Sequence, residues 1–86
     1  MHKVLLPRER VEELLGELCV GWGFCLHPIA HARIVNSPPR TIDRFTEVVF
    51  AAEGMDHRYH QQRNGLYNKV RDVVARYFDA EDELNP

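Results

Sequence analysis

The cysteine and histidine residues of this sequence are the side chains best suited to metal chemistry. Cys25, His27 and His31 lie close together, and His57 and His60 are spaced as neighbours on one helix face. A thiolate and imidazoles are ligands that Zn²⁺ accepts in a tetrahedral site. Their spacing matches none of the strong zinc patterns, however, such as a pair of C-x-x-C knuckles. We therefore expect no metal and no cofactor. A small metal-binding protein that uses these five residues as ligands is the third interpretation of the function, after the two given below.

A cysteine nucleophile paired with a histidine base is a second arrangement that these residue types permit. Such a site needs a thiol of lowered pKa, a base within hydrogen-bonding distance and donors for an oxyanion. A chain of 86 residues also has little room for a substrate cleft of roughly 300 Å³ or more. We therefore expect the protein not to be an enzyme.

Basic and aromatic residues alternate over residues 57–76, as they do in segments that bind nucleic acids. The basic members are Arg58, Arg63, Lys69, Arg71 and Arg76, and the aromatic members are Tyr59 and Tyr67. Arginine suits phosphate contact, and tyrosine suits base stacking. Residues 1–78 are close to neutral, however, and the acidic residues of 79–86 would repel phosphate. Nucleic-acid binding through residues 57–76 is therefore the alternative function.

Aromatic and arginine side chains of the kinds enriched at protein interfaces occur along the chain. There are also more apolar residues than a core of three helices obviously needs, which favours a homodimer or a protein partner. We therefore expect a non-catalytic interaction or regulatory module. Its predicted surface comprises Trp22, Phe50, Tyr59, Arg63, Tyr67 and Arg71.

Length and composition set the class of protein. The 86 residues, 44% of them hydrophobic and 28% charged, suffice for one domain. No apolar stretch approaches the roughly eighteen residues of a membrane helix, and Val4–Leu6 is too short for a signal-peptide core. Cys19 and Cys25 close only a small loop, without the disulfide density of small secreted domains. We expect a soluble cytoplasmic protein that does not associate with membranes.

The spacing of apolar residues predicts three principal helices. The clearest pattern spans residues 66–78, in a helix that begins at 57 or at 65 and places five apolar residues on one face. A second helix at 8–20 follows Pro7 and ends at the glycines on either side of Trp22. A third, at 40–53, has Ser37 or Thr41 as its N-cap and ends at Gly54.

These helices predict an all-α bundle. Residues 21–39 are expected to form an irregular connection with one short helix or strand, and the helices at 40–53 and 66–78 to pack antiparallel. Trp22, Phe24, Phe45 and Tyr77 should join the valine and leucine stripes in the core, with Phe50 off the main stripe. The domain is expected to span residues 1–78, followed by a frayed acidic tail at 79–86. No stretch carries a motif that we attach to a known family.

Overall fold

The computed structural model describes residues 4–54 and 65–84. Within these two ranges the chain forms four α-helices and no strand. The helices are α1 (Arg8–Trp22), α2 (Pro28–Asn36), α3 (Ile42–Ala52) and α4 (Leu66–Leu84). The predicted all-α class is confirmed.

Helix α1 begins and ends at the residues that punctuate the sequence. Pro7 precedes its first turn in an extended conformation, and Glu9 lies in that turn, where a carboxylate favours the positive end of the helix dipole. Gly23 ends the helix with φ = 75°, a left-handed conformation that glycine adopts without steric cost. Its N–H donates to the carbonyl of Cys19 across 3.1 Å.

Helix α2 decides between the short helix and the strand predicted within residues 21–39, because nine of these residues form a helix. Pro28 occupies the first turn, where its missing N–H costs nothing. The Nδ1 atom of His27 accepts a hydrogen bond from the N–H of Ile29 across 3.2 Å and so caps the helix. Ile34 and Val35 anchor α2 to the core. The β-branched side chains of Ile34 and Val35 are typical of a strand, but here they are buried on a helix.

Helix α3 has Thr41 as its N-cap, one of the two residues predicted for this role. The Thr41 hydroxyl accepts a hydrogen bond from the N–H of Arg44 across 3.2 Å. Gly54 follows the helix with φ = 76°, as predicted for a residue that terminates it. Within α3, Thr46 is fully buried, and its hydroxyl donates to the Ile42 carbonyl across 2.8 Å.

Helix α4 packs antiparallel to α3, as predicted. The late residue Phe50 of α3 contacts the early residue Tyr67 of α4, with ring centroids 5.3 Å apart. Conversely, the early Phe45 contacts the late Phe78 at 6.0 Å. The predicted end of this helix at residue 78 is wrong, since α4 continues through Leu84. The apolar pattern stops at Phe78, but the helix continues through the residues that follow, beginning with the exposed Asp79.

The core contains the stripes of α1, α3 and α4 together with the connection between α1 and α2. Its buried aromatic residues include Phe24, Phe45 and Tyr77, as predicted. Trp22 is not among them, because 38% of its surface is exposed. It is the last residue of α1, beyond the buried stripe that ends at Leu18.

Candidate functional site

The surface predicted for binding includes one residue that the structure places in the core. Phe50 is fully buried, so it cannot present its ring to a partner, and that prediction is wrong. Its ring centroid lies 5.0 Å from that of Phe24 in an edge-on contact and 5.3 Å from that of Tyr67. Although Phe50 lies off the α3 stripe, it is buried because it packs against the connection after α1 as well as against α4.

Two further residues of the predicted surface lie on α4 with contacts of their own. Tyr67 is half-buried against Phe50, and this burial, followed by the charges of Glu47 and Asp43, raises the pKa of its hydroxyl. The Arg71 guanidinium donates to the Asp43 carboxylate, which raises the pKa of Arg71. Both side chains therefore help to join α4 to α3.

Tyr59 and Arg63 lie outside the described residues, as do His57 and His60 of the metal set. The predictions for two of the six surface residues and for two of the five metal ligands therefore lie outside the part of the chain that the structure describes. One apolar residue predicted for the surface, Trp22, is exposed at the end of α1.

The cysteines are joined in a disulfide bond between Cys19 and Cys25, whose Cα atoms are 4.2 Å apart. We call Cys19–Cys25 the disulfide loop. It covers the end of α1 and the start of the connection to α2, with Trp22 at its centre. A sulfur in this bond is not a free thiolate, so Cys25 in this form is neither a zinc ligand nor a nucleophile. Over residues 4–54 and 65–84, no group of three potential ligands could hold a metal ion.

Exposed apolar side chains concentrate around the disulfide loop. Val20 is 89% exposed, and Ile29, in the first turn of α2, is 61% exposed. With Trp22, they place three large apolar side chains within ten residues of chain, at the junction of α1 and α2. We call Val20, Trp22 and Ile29 the apical residues. Sequence reasoning missed two of them, although Pro28 at the first turn of a helix is a signal that Ile29 lies at an exposed helix end.

A small cavity adjoins the disulfide on the α1 side. Its volume is about 230 Å³, and its lining includes both cysteines with Glu12, Leu15, Gly16, Leu26 and His31. A Cβ atom added at Gly16, one of the lining residues, would meet no heavy atom within 4 Å. Of the two histidines predicted as ligands on this part of the chain, His31 lines the cavity and His27 caps α2.

The basic residues of α4 are largely engaged with carboxylates of other helices. Arg71 pairs with Asp43, and the Arg76 guanidinium donates to Glu17 across 2.7 Å. The phenol of Tyr77 donates to the same Glu17 carboxylate, and this bond, followed by Arg76, lowers the pKa of Glu17. The part of the basic face that the structure describes is therefore partly neutralised by contacts within the fold.

No helix of residues 4–54 or 65–84 combines the length and the apolar character needed to cross a bilayer. Comparison with protein-family models, with curated proteins and with solved structures gave no match for this chain. The apical residues are therefore assigned as the candidate functional site from the structure alone.

Proposed function

We propose that this chain is a non-catalytic protein-interaction module that binds a protein partner or a second copy through its apical residues. The observation that carries the proposal is the exposure of Val20 and Trp22 within the covalently closed loop and of Ile29 in the first turn of α2. Of the four large apolar residues that are exposed within residues 4–54 and 65–84, three lie within ten residues of the chain, which favours an interface at this end of α1.

The loop favours binding because its backbone is already ordered. Ordering a flexible segment costs free energy that is subtracted from the affinity. Here the disulfide bond and the contacts of Phe24 hold the chain between α1 and α2 before any partner arrives. Trp22 is of a residue type that often supplies most of the binding free energy at interfaces.

Nucleic-acid binding through residues 57–76 remains the alternative proposal. It is less supported, because Arg71 and Arg76 are engaged with Asp43 and Glu17. A mobility-shift assay at low and moderate salt separates the two proposals, since binding to phosphate weakens steeply as the salt concentration rises.

We also propose the cytoplasm as the location of the protein, because two cysteines fall short of the disulfide density of small secreted domains. Disulfides of cytoplasmic proteins are usually transient and redox-active. In that location, the Cys19–Cys25 bond would be a redox-sensitive bond as well as a structural cross-link.

The decisive experiment compares self-association and partner retention for three immobilised proteins. They are the wild type, the Trp22→Ser/Ile29→Ser variant and the Leu5→Ser variant. Leu5 is a matched control, because it is 57% exposed but precedes α1. We expect the double variant to lose binding by at least about tenfold, which corresponds to about 1.4 kcal/mol, while the control retains it.

Circular dichroism of all three proteins establishes that they are folded before binding is compared. Equal retention of the same polypeptide by the wild type and the double variant would show that the apical residues are not the binding surface. A wild-type protein that is monomeric and retains no polypeptide would contradict the interaction module itself.

A further inference from the structure

The disulfide loop is placed by contacts that do not require the disulfide bond. The N–H of Gly23 donates to Cys19, and the N–H of Phe24 donates to the Leu18 carbonyl across 3.0 Å. The Phe24 ring is 3% exposed and packs on Phe50 in the core. These contacts hold Gly23 and Phe24 against the end of α1 and the core.

The other side of the loop is held by the start of α2. His27 caps this helix, and the buried pair Ile34 and Val35 secures it to the core. Because both ends are held, breaking the bond between Cys19 and Cys25 leaves two thiols facing one another. A dithiol held in this way can re-form its bond without a search through unfolded conformations.

The bond is also accessible to a reagent. Cys25 belongs to the exposed residues, whereas Cys19 is half-buried. The cavity of about 230 Å³ lined by the two cysteines is large enough for the reactive end of a small thiol. A structural disulfide that is closed off by the core has no such approach.

We propose that Cys19–Cys25 is a redox-active disulfide that exchanges with small thiols through Cys25 while the helical core stays folded. This inference does not rest on the proposed function of the apical residues. It assigns the disulfide loop as a site of reversible thiol modification, with a monothiol or dithiol of low molecular mass as the reactant.

The exchange begins when a thiolate of the reactant attacks the sulfur of Cys25, the more exposed of the two cysteine residues. A new sulfur–sulfur bond forms there, the Cys19–Cys25 bond breaks, and Cys19 leaves as a thiolate that takes a proton from water. A second thiolate then attacks the reactant's own sulfur in the mixed disulfide and releases Cys25, which is protonated in turn. Two electrons and two protons pass to the protein, and the reactant leaves as its disulfide.

The test equilibrates the full chain in glutathione buffers that range from fully oxidised to fully reduced. Free thiols are trapped with an alkylating reagent and counted by intact mass, and far-UV circular dichroism reports on the helices. We expect both thiols to appear together within this range while the helical signal remains. A bond that withstands the fully reduced buffer, or that opens only with loss of the helical signal, would overturn the proposal.

Two single variants locate the reactive sulfur. Cys19→Ser leaves only Cys25, and Cys25→Ser leaves only Cys19, so each reports one thiol in a matched background. With oxidised glutathione in excess, we expect Cys25 in the first variant to form the mixed disulfide several-fold faster than Cys19 in the second. Equal rates, or a faster reaction at Cys19, would overturn the assignment of Cys25 as the exchanging sulfur.

Discussion

The phenol of Tyr77 donates a hydrogen bond to the carboxylate of Glu17 across 2.8 Å and joins the C-terminal half of α4 to α1. Arg76 donates to the other oxygen of the same carboxylate. The guanidinium of Arg10 lies 5.1 Å from the centroid of the Tyr77 ring, within the range of a cation–π contact. Tyr77 is buried, whereas 36% of the Glu17 side chain remains exposed.

Replacing Tyr77 with Phe removes this hydrogen bond and keeps the ring. We expect the free energy of unfolding to fall by about 0.5–1.5 kcal/mol, because a side-chain hydrogen bond contributes about this much. Denaturant unfolding of Tyr77→Phe, Glu17→Gln and the double variant measures the coupling between them. In contrast, Glu13→Gln, which removes an exposed pair with Arg10 inside α1, should cost only a few tenths of 1 kcal/mol. A coupling of zero would mean that the two side chains do not interact in solution.

The stability of the protein should fall at alkaline pH through Tyr77. Burial, followed by the hydrogen bond to Glu17, raises the pKa of Tyr77 to about 12 from an ordinary value of 10.0. The folded state therefore holds this proton more tightly than the unfolded state. The associated stabilisation is complete below about pH 10 and decreases as the pH rises towards about 12.

This dependence is measured as the free energy of unfolding at several pH values from about 8 to about 11.5. We expect the wild type to lose stability more steeply with pH than Tyr77→Phe, which has no phenol to ionise. Parallel curves for the two proteins would show that Tyr77 titrates alike in the folded and unfolded states.

Phe50→Ala distinguishes a core residue from a surface residue. Because Phe50 is fully buried between Phe24 and Tyr67, we expect its truncation to destabilise the fold by about 3–5 kcal/mol. Val20→Ala, at an apolar position that is 89% exposed, is the control and should change stability by less than about 0.5 kcal/mol. Thermal or denaturant unfolding measures both. A small loss of stability in Phe50→Ala would show that Phe50 is a surface residue.

Alanine substitution should change the stability in opposite directions at the glycine inside α1 and at the glycine that ends it. Gly23→Ala places a side chain in a left-handed conformation at φ = 75°, and we expect a loss of roughly 1–2 kcal/mol. Gly16→Ala adds a methyl group in open space inside a helix, and we expect a gain of roughly 0.5–1 kcal/mol. Denaturant midpoints compare the two variants directly. The opposite order would mean that α1 does not end at Gly23 in solution.

Local sequence signals predicted most of the helices because these signals act within one or two turns. Pro7, Thr41 and Gly54 mark helix ends by backbone geometry and hydrogen bonding that involve only nearby residues. The apolar spacing of residues 66–78 predicted the buried face of α4, and Val70, Val73 and Val74 are indeed buried. The antiparallel packing of α3 and α4 was predicted from the short connection that the sequence allows between them.

The errors in the prediction occur where distant residues decide the outcome. Phe50 lies off its own helix stripe, and its burial depends on Phe24, which approaches from the connection after α1. The exposure of Trp22 depends on where α1 ends relative to the core. Residues 28–36 carried both helical and strand-like signals, and α2 formed because Ile34 and Val35 could be buried on a helix.

The sequence by itself determined the all-α class and the residues at which most helices begin or end, because periodicity and capping are local. Tertiary structure alone decided which side chains meet across the bundle. Glu17 and Tyr77 are separated by most of the chain, so no local pattern pairs them. The two cysteines lie close in sequence, but their bond beside an open cavity depends on how Phe24 and α2 pack on the core. The candidate site therefore depends on packing, and its chemistry follows from the surfaces that packing leaves exposed.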